Sequence, residues 1–395
     1  MNHEPTMQYQ VAVSRHTNPD QAGQELGMAL RASMGKDPVD VAFIFYPPYY
    51  KDMISQLLSH IHETLSPRVL LGCMGESIIG MDKEFEETTA VTVWAARLPH
   101  CHLVPMHLTF DEVEHGYIMD GWPEGLDHSA EHPTFILLAD PFSTPMNEVF
   151  SQIEQRCPGA PAIGGVASGG TDLGESQLVL NNDIIQTGLV GIAMWGPLSI
   201  RTIVSQGCQP IGEPYVVTRA ERYIVYELGG MPTLERLQAT LDALGPERGK
   251  QATMGLQVGV AFNEHRHQFN RGDFLIRGIM GADQQSGGIA LSDLIEEGQT
   301  IQFHLRDSAA ASEELNLLLA QERDQFSKAP PKGALLFSCH GRGRRFFPHP
   351  HHDIEAVLHQ TGHIPIAGFF AAGEIGPVAG KNFIHGYTAS LALFS

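Results

Sequence analysis

His363-Ile-Pro-Ile-Ala-Gly-Phe-Phe-Ala-Ala-Gly-Glu-Ile-Gly-Pro377, followed by Asn382-Phe-Ile-His-Gly-Tyr-Thr388, is the stretch around which the chain is read. Its apolar run, 364–370, has the length and continuity of a strand buried on both faces. The run enters Gly373-Glu374-Ile375-Gly376, where glycine lets the backbone turn and approach another group closely. Glu374 therefore sits at a strand-to-turn junction, solvated or held by N–H groups or a cation. The chain returns through His385 and Thr388 into a last strand, 390–394.

The same grammar occurs twice more. Val69-Leu-Leu-Gly-Cys-Met-Gly-Glu76-Ser-Ile-Ile-Gly80 repeats the apolar run, the Gly-Glu pair and the closing glycine. Ala160-Pro-Ala-Ile-Gly-Gly-Val-Ala-Ser-Gly-Gly170 repeats it without the glutamate. A helix-like segment precedes each run, at 52–65, 146–157 and 353–362, which suggests internal duplication. By this grammar Glu76 and Glu374 are counterparts.

Working outward, buried strands are expected at 40–46, 135–139 and 332–339, and antiparallel strands at 88–98 and 102–110. A helix starts at Pro19-Asp20. Residues 178–180 and 187–195 read as a hairpin, and 111–131 as an acidic loop. A third unit is expected to begin with a strand at 222–228, and 308–326 is the longest helical pattern. The fold class is α/β, with mixed, largely antiparallel sheets covered by helices. At 395 residues the chain exceeds what one core usually supports, so two domains are expected, 1–222 and 223–395.

The chain holds 25 Lys and Arg against 45 Asp and Glu, a net charge of −20, which argues against nonspecific nucleic-acid or anionic-membrane partners. Five scattered cysteines without Cys-x-x-Cys suit a reducing cytoplasm rather than a disulfide scaffold. The first twenty residues lack a secretory pattern, and no apolar run is long enough to span a membrane.

Cys339-His-Gly-Arg342-Gly-Arg344-Arg345 is the densest positive cluster. Exposed N–H groups at glycine and arginine forks suit a planar oxyanion. The competing readings are an Arg342 salt bridge to Glu374 or another carboxylate with Cys339 in the core, and a reactive Cys339 thiolate. Glu76 and Glu374 suit either turn-fixing hydrogen bonds or paired acid–base chemistry. The histidines at 349, 351 and 352 lack the acidic partner and spacing of a metal site. His385 reads as a core histidine, a pocket-lining donor or a haem ligand. Residues 341–343 and 164–171 fail the dinucleotide, P-loop and nucleophile-elbow patterns.

Ser338-Cys-His-Gly-Arg-Gly343, Gly368-Phe-Phe-x-x-Gly-Glu-Ile-Gly376 and His385-Gly-Tyr-Thr388 together resemble the FIST family. In the N-terminal half, Gly72-Cys-x-Gly-Glu76, Ile163-Gly-Gly165 and Gln206-Gly-Cys-x-Pro-Ile-Gly-Glu-Pro214 fit the same pattern. The resemblance covers roughly residues 35–395. It implies a sensory, signal-transducing protein with N- and C-terminal FIST parts, a module also found in some F-box proteins. The implied ligand is a small molecule such as an amino acid, and some relatives resemble haem-dependent nitric-oxide sensors. Family members often adjoin output domains, whereas this chain ends at Ser395 within the pattern, so a separate signalling partner is expected. The family's ligand residues are poorly defined. The candidate binding set of Gly72, Cys73, Glu76, Cys339, Arg342, Arg344, Gly368, Glu374, His385 and Thr388 therefore rests on their chemistry. No catalytic or metal site is assigned; an enzyme using Cys339 or Glu374 is the rival reading.

Overall fold

A computed structural model describes all residues except 1–5, 115, 127–131, 246–247, 250–251, 253–254, 263–268 and 270–271. The protein is mixed α/β and forms two compact units, Met1–Val204 with Asn316–Ser395, and Ser205–Leu315.

The first unit repeats one motif three times. Strands Val41–Tyr46 and Val69–Met74 are parallel neighbours joined by helix Ile54–Leu65. Thr134–Ala139, Met146–Arg156 and Ala162–Val166 repeat the arrangement. So do Gly333–Cys339, His352–Thr361 and Ile366–Ala371. The third repeat thus begins at Gly333 rather than in the 222–228 strand, which belongs to the second unit. Each repeat ends in an antiparallel strand beside its first: Val91–Arg97, Leu189–Trp195 and Ala389–Phe394.

Between its second and last strands each repeat gives a hairpin to a different sheet. The first repeat's hairpin, Ile78–Gly80 with Lys83–Phe85, pairs with Ile366–Ala371 of the third. The second repeat's Leu178–Leu180 with Asp183–Ile185 pairs with Val69–Met74 of the first. The third repeat's Gly373–Val378 with Lys381–His385 pairs with Ala162–Val166 of the second. The exchange is cyclic. It explains why neighbouring segments part company: 91–97 and 102–113 lie in different sheets, as do 178–180 and 189–195. The 111–131 segment is a strand in its middle, Gly116–Asp120 pairing with residues 109–113, while 127–131 fall outside the described residues.

The inner faces of the three sheets share one core containing Phe43, Phe45, Ile136, Leu138, Leu335, Phe337 and Phe369. The outer faces are covered by helices such as Pro19–Met34, which starts where Asn18 caps the Gln21 N–H and proline occupies the first turn. One glycine recurs in identical register. Gly72 lies opposite Ile44, Gly164 opposite Leu137 and Gly368 opposite Leu336. A Cβ at these sites would sit 2.3, 1.8 and 1.7 Å from the carbonyl oxygen of the opposite residue. The parallel strands close up only because that atom is missing.

In the second unit, strand Cys208–Glu221 pairs with both Thr300–Arg306 and Ile224–Leu228, closing an antiparallel sheet around Val258, Leu291, Ile301 and Phe303. Helix Thr233–Ala243 adds Leu234, Leu237 and Leu241 to that core. The long helical pattern from 308 breaks into Ser308–Gln321 and Arg323–Lys328.

Candidate functional site

The register that aligns the three glycines also aligns the hairpins. Ile79, Val179 and Ile375 face Gly368, Gly72 and Gly164, so Glu374 occupies the position of Ile78 and Leu178. Ile78 and Leu178 belong to the inner core. The glutamates of the two Gly-Glu pairs are therefore offset by two positions. Glu76 corresponds to Ala372, and the expected counterpart relationship between Glu76 and Glu374 does not hold.

The same alignment equates Cys339 with Pro47 and Asp140, and Thr388 with Ala90 and Gly188. Glu374 and Thr388 carry side-chain polar groups at positions where both sister repeats lack them. The threefold pattern is broken at this corner of the third repeat.

Glu374 is fully buried. Its Oε2 accepts the Thr388 N–H at 3.0 Å and the Thr388 hydroxyl at 2.8 Å, while Oε1 has no hydrogen-bond partner. Burial pushes the carboxyl up to about 8, against the opposing pull of Thr388, the Arg342 charge and the Cys339 thiol. His385 faces Glu374 across the hairpin, and its Nε2 bonds the Gly376 carbonyl at 3.0 Å. Ligating haem iron through Nε2 would break that bond in a ring only 4 % exposed, so His385 fits poorly as a haem ligand.

Arg342 is completely buried and forms a bidentate pair with Asp353, Nε to Oδ2 at 2.7 Å and Nη2 to Oδ1 at 2.8 Å. Nη1 donates to the Tyr387 carbonyl at 3.2 Å, and the guanidinium lies over the Phe347 ring at 5.0 Å. Asp353 also accepts the Ser338 hydroxyl at 2.6 Å and bonds His352 Nδ1 at 2.9 Å. Burial works to raise its pKa, but Arg342 and His352 outweigh burial and hold it below the usual carboxylate range. The arginine's salt-bridge partner is thus Asp353 rather than Glu374.

Glu84, also buried, caps the helix His352–Thr361 from another repeat. Its Oε1 accepts the N–H groups of Asp353 and Ile354 at 2.9 and 3.2 Å, and its Oε2 has no partner. Asp353 and Glu84 carried no sequence signal as a pair, because they lie 269 positions apart and meet through the exchanged hairpin.

Among the other candidates, Gly72, Cys73 and Gly368 lie within strands, and burial raises the Cys73 thiol. Glu76 and Arg344 lie at the surface of the same region. Glu76 pairs with Arg345 and approaches His340 Nδ1 at 3.9 Å, and the Arg344 N–H donates to Glu86 at 3.0 Å. The structure therefore brings together Cys339, Arg342, Glu374 and Thr388, flanked by His385, and leaves Gly72, Cys73 and Gly368 as packing residues. Cavities of about 340 Å³, including Trp195 and Leu198, and about 390 Å³, including His62 and Asn182, are lined by none of the ten candidates. Among the described residues no His/Cys/Asp/Glu group has metal-site geometry.

Comparison with known proteins adds to this picture. Residues 40–231 match the FIST N domain and residues 234–377 the FIST C domain. An uncharacterised protein of Mycobacterium tuberculosis is 39 % identical over 386 residues, covering 97 % of this chain and 99 % of its own. An uncharacterised Mycobacterium bovis protein is 36 % identical over 388 residues, covering 97 % and 98 %. A crystal structure of a cyanuric acid hydrolase from A. caulinodans aligns over 99 % of both chains at 11 % identity, with a TM-score of 0.30, too low to support an argument.

Proposed function

Because the chain belongs to the FIST family, whose domains are associated with sensing in signal transduction, we propose that it is a cytoplasmic sensor of a small metabolite, an amino acid or a close analogue, bound at the polar corner around Glu374. One observation carries this reading. A fully buried carboxyl with an unpartnered oxygen occupies a position that both sister repeats fill with core aliphatics. Such a group costs stability, and an aliphatic side chain there would fold better. Perturbed carboxyls of this kind gather at functional sites.

The ligand class follows from the groups at hand. An ammonium would take the place of the Glu374 proton at Oε1, and a carboxylate would suit the arginine-rich segment 342–345. Arg342 is spent on Asp353 in this structure, so its part is to position the corner, with Arg344 and Arg345 as the accessible cations. Cysteines without disulfide bonds suit a reducing compartment, and no helix among the described residues is long and apolar enough to cross a membrane. A separate partner protein would carry the signal onward.

The test is calorimetry and thermal shift against a panel of amino acids, small carboxylates and amines, on wild type and Glu374→Gln. A ligand at about 100 times its Kd adds roughly 2.7 kcal/mol of stability. The expected result is a shift with one class that Glu374→Gln abolishes. Equal binding by both proteins, or no shift with any compound, overturns the assignment.

A further inference from the structure

The strand-to-helix connection of the third repeat, residues 340–351, is longer than its counterparts at 47–53 and 140–145. Three glutamates from one segment of the first repeat hold it. Glu76 pairs with Arg345. Glu86 accepts the Arg344 N–H at 3.0 Å and packs against Gly343, where a Cβ would lie 2.7 Å from Glu86 Oε2. Glu84 caps Asp353 and Ile354, while its own N–H donates to His351 Nδ1 at 3.0 Å. His351 is left-handed at φ 65°, an uncommon conformation for a residue with a side chain. On the segment's buried side, the Arg342 guanidinium lies over the Phe347 ring, which stacks on His352 at 3.5 Å. Arg342 reaches the Tyr387 carbonyl next to Thr388, the residue bonded to Glu374.

We infer that residues 340–351 are a lid over the Glu374 corner, latched by Glu76, Glu84 and Glu86, and that release of this latch admits the ligand. This rests on the ligand reading above and names its regulation. The latch is made of glutamate side chains on backbone N–H groups and an arginine. A ligand carboxylate offers the same chemistry, and it would compete for Arg345 and the Arg344 N–H. The segment belongs to the third repeat and is held by glutamates of the first, so opening would be felt in both repeats.

The test needs no ligand. Cys339, at the lid's root, is 3 % exposed, and Cys73 and Cys157 are buried elsewhere. Maleimide labelling would be followed by peptide mass spectrometry on wild type, Glu84→Ala and the Glu76→Ala/Glu86→Ala double variant, whose side chains are the more exposed. Limited trypsin cleavage after Arg344 and Arg345 would be timed on the same proteins. Local opening predicts Cys339 labelling and lid cleavage roughly tenfold faster in the double variant, with Cys73 and Cys157 unchanged. Rates within about twofold of wild type in both variants, or a rise shared equally by Cys73 and Cys157, overturn the lid. A flat metabolite screen with a responsive lid would instead sink the ligand reading alone.

Discussion

The Ser168 hydroxyl donates to the Phe370 carbonyl at 2.5 Å and accepts the Glu76 N–H at 2.7 Å, so one side chain stands in for a missing backbone bond. Where the second strands of the repeats meet, two junctions are closed directly: Ser168 N–H to the Met74 carbonyl at 3.1 Å, and Ala372 N–H to the Val166 carbonyl at 3.0 Å. At the third, Glu76 bonds Phe370 only through Ser168. Ser168→Ala leaves the buried Phe370 carbonyl and the part-buried Glu76 N–H without this partner, and a loss of about 1–3 kcal/mol is expected in urea denaturation. A change below about 0.5 kcal/mol, the range of a neutral surface substitution, would show that the bridge is dispensable.

The Arg342–Asp353 pair makes the next prediction. Both side chains are buried, and each charge answers the other. Asp353→Ala strands a guanidinium in the core, and a loss of about 3–5 kcal/mol is expected. Arg342→Met with Asp353→Leu removes both charges and should recover much of that loss, because a buried pair contributes little over well-packed apolar groups. A double-mutant cycle with no coupling would refute the pairing.

The three register glycines predict a graded series. Alanine at Gly368 or Gly164 brings a Cβ within 1.8 Å of a carbonyl oxygen, and at Gly72 within 2.3 Å. Each substitution must push parallel strands apart, at a cost of about 3 kcal/mol or more, with Gly72→Ala the mildest. Thermal denaturation of the three variants checks the order. Equal, small losses would mean that the strands adjust without strain.

Much of this architecture was legible in the strand–glycine–turn grammar. Gly72, Gly164 and Gly368 mark the three repeats because steric closeness between parallel strands leaves a direct trace in sequence. Hairpin exchange leaves no such trace. Ile78 pairs with Phe369, almost 300 residues away, and nothing in the local pattern of either residue names the other. The same long-range pairing hid Glu84 and Asp353 as partners of the 340–351 segment. It also made Glu76 and Glu374 look equivalent when a two-residue offset puts one at the surface and the other in the core. Residue type and glycine context single out Arg342, Glu374 and Thr388 in the sequence. They do not single out the partner of Arg342, because Asp353 reads locally as an ordinary first-turn acidic residue of a helix.

The last prediction concerns pH. Burial raises the Glu374 carboxyl from an ordinary 4.5 to about 8 in the folded protein, and Glu84 moves in the same direction through burial and the Asp353 charge. A group that holds its proton more tightly when folded stabilises the fold fully below the unfolded pKa. That contribution is lost as pH rises through the folded pKa. Stability should therefore fall between about pH 4.5 and pH 8, by up to about 1.4 kcal/mol per pH unit for each such proton. Asp353 does not offset this slope, because its depressed pKa keeps it ionised throughout the window and its contribution disappears only at lower pH. Glu374→Gln keeps the shape and the Thr388 partner but has no proton to lose. Its denaturation midpoint should vary less steeply with pH across the window, with the gap to wild type widening towards pH 8. Parallel wild-type and Glu374→Gln curves would mean that Glu374 titrates alike in the folded and unfolded chains.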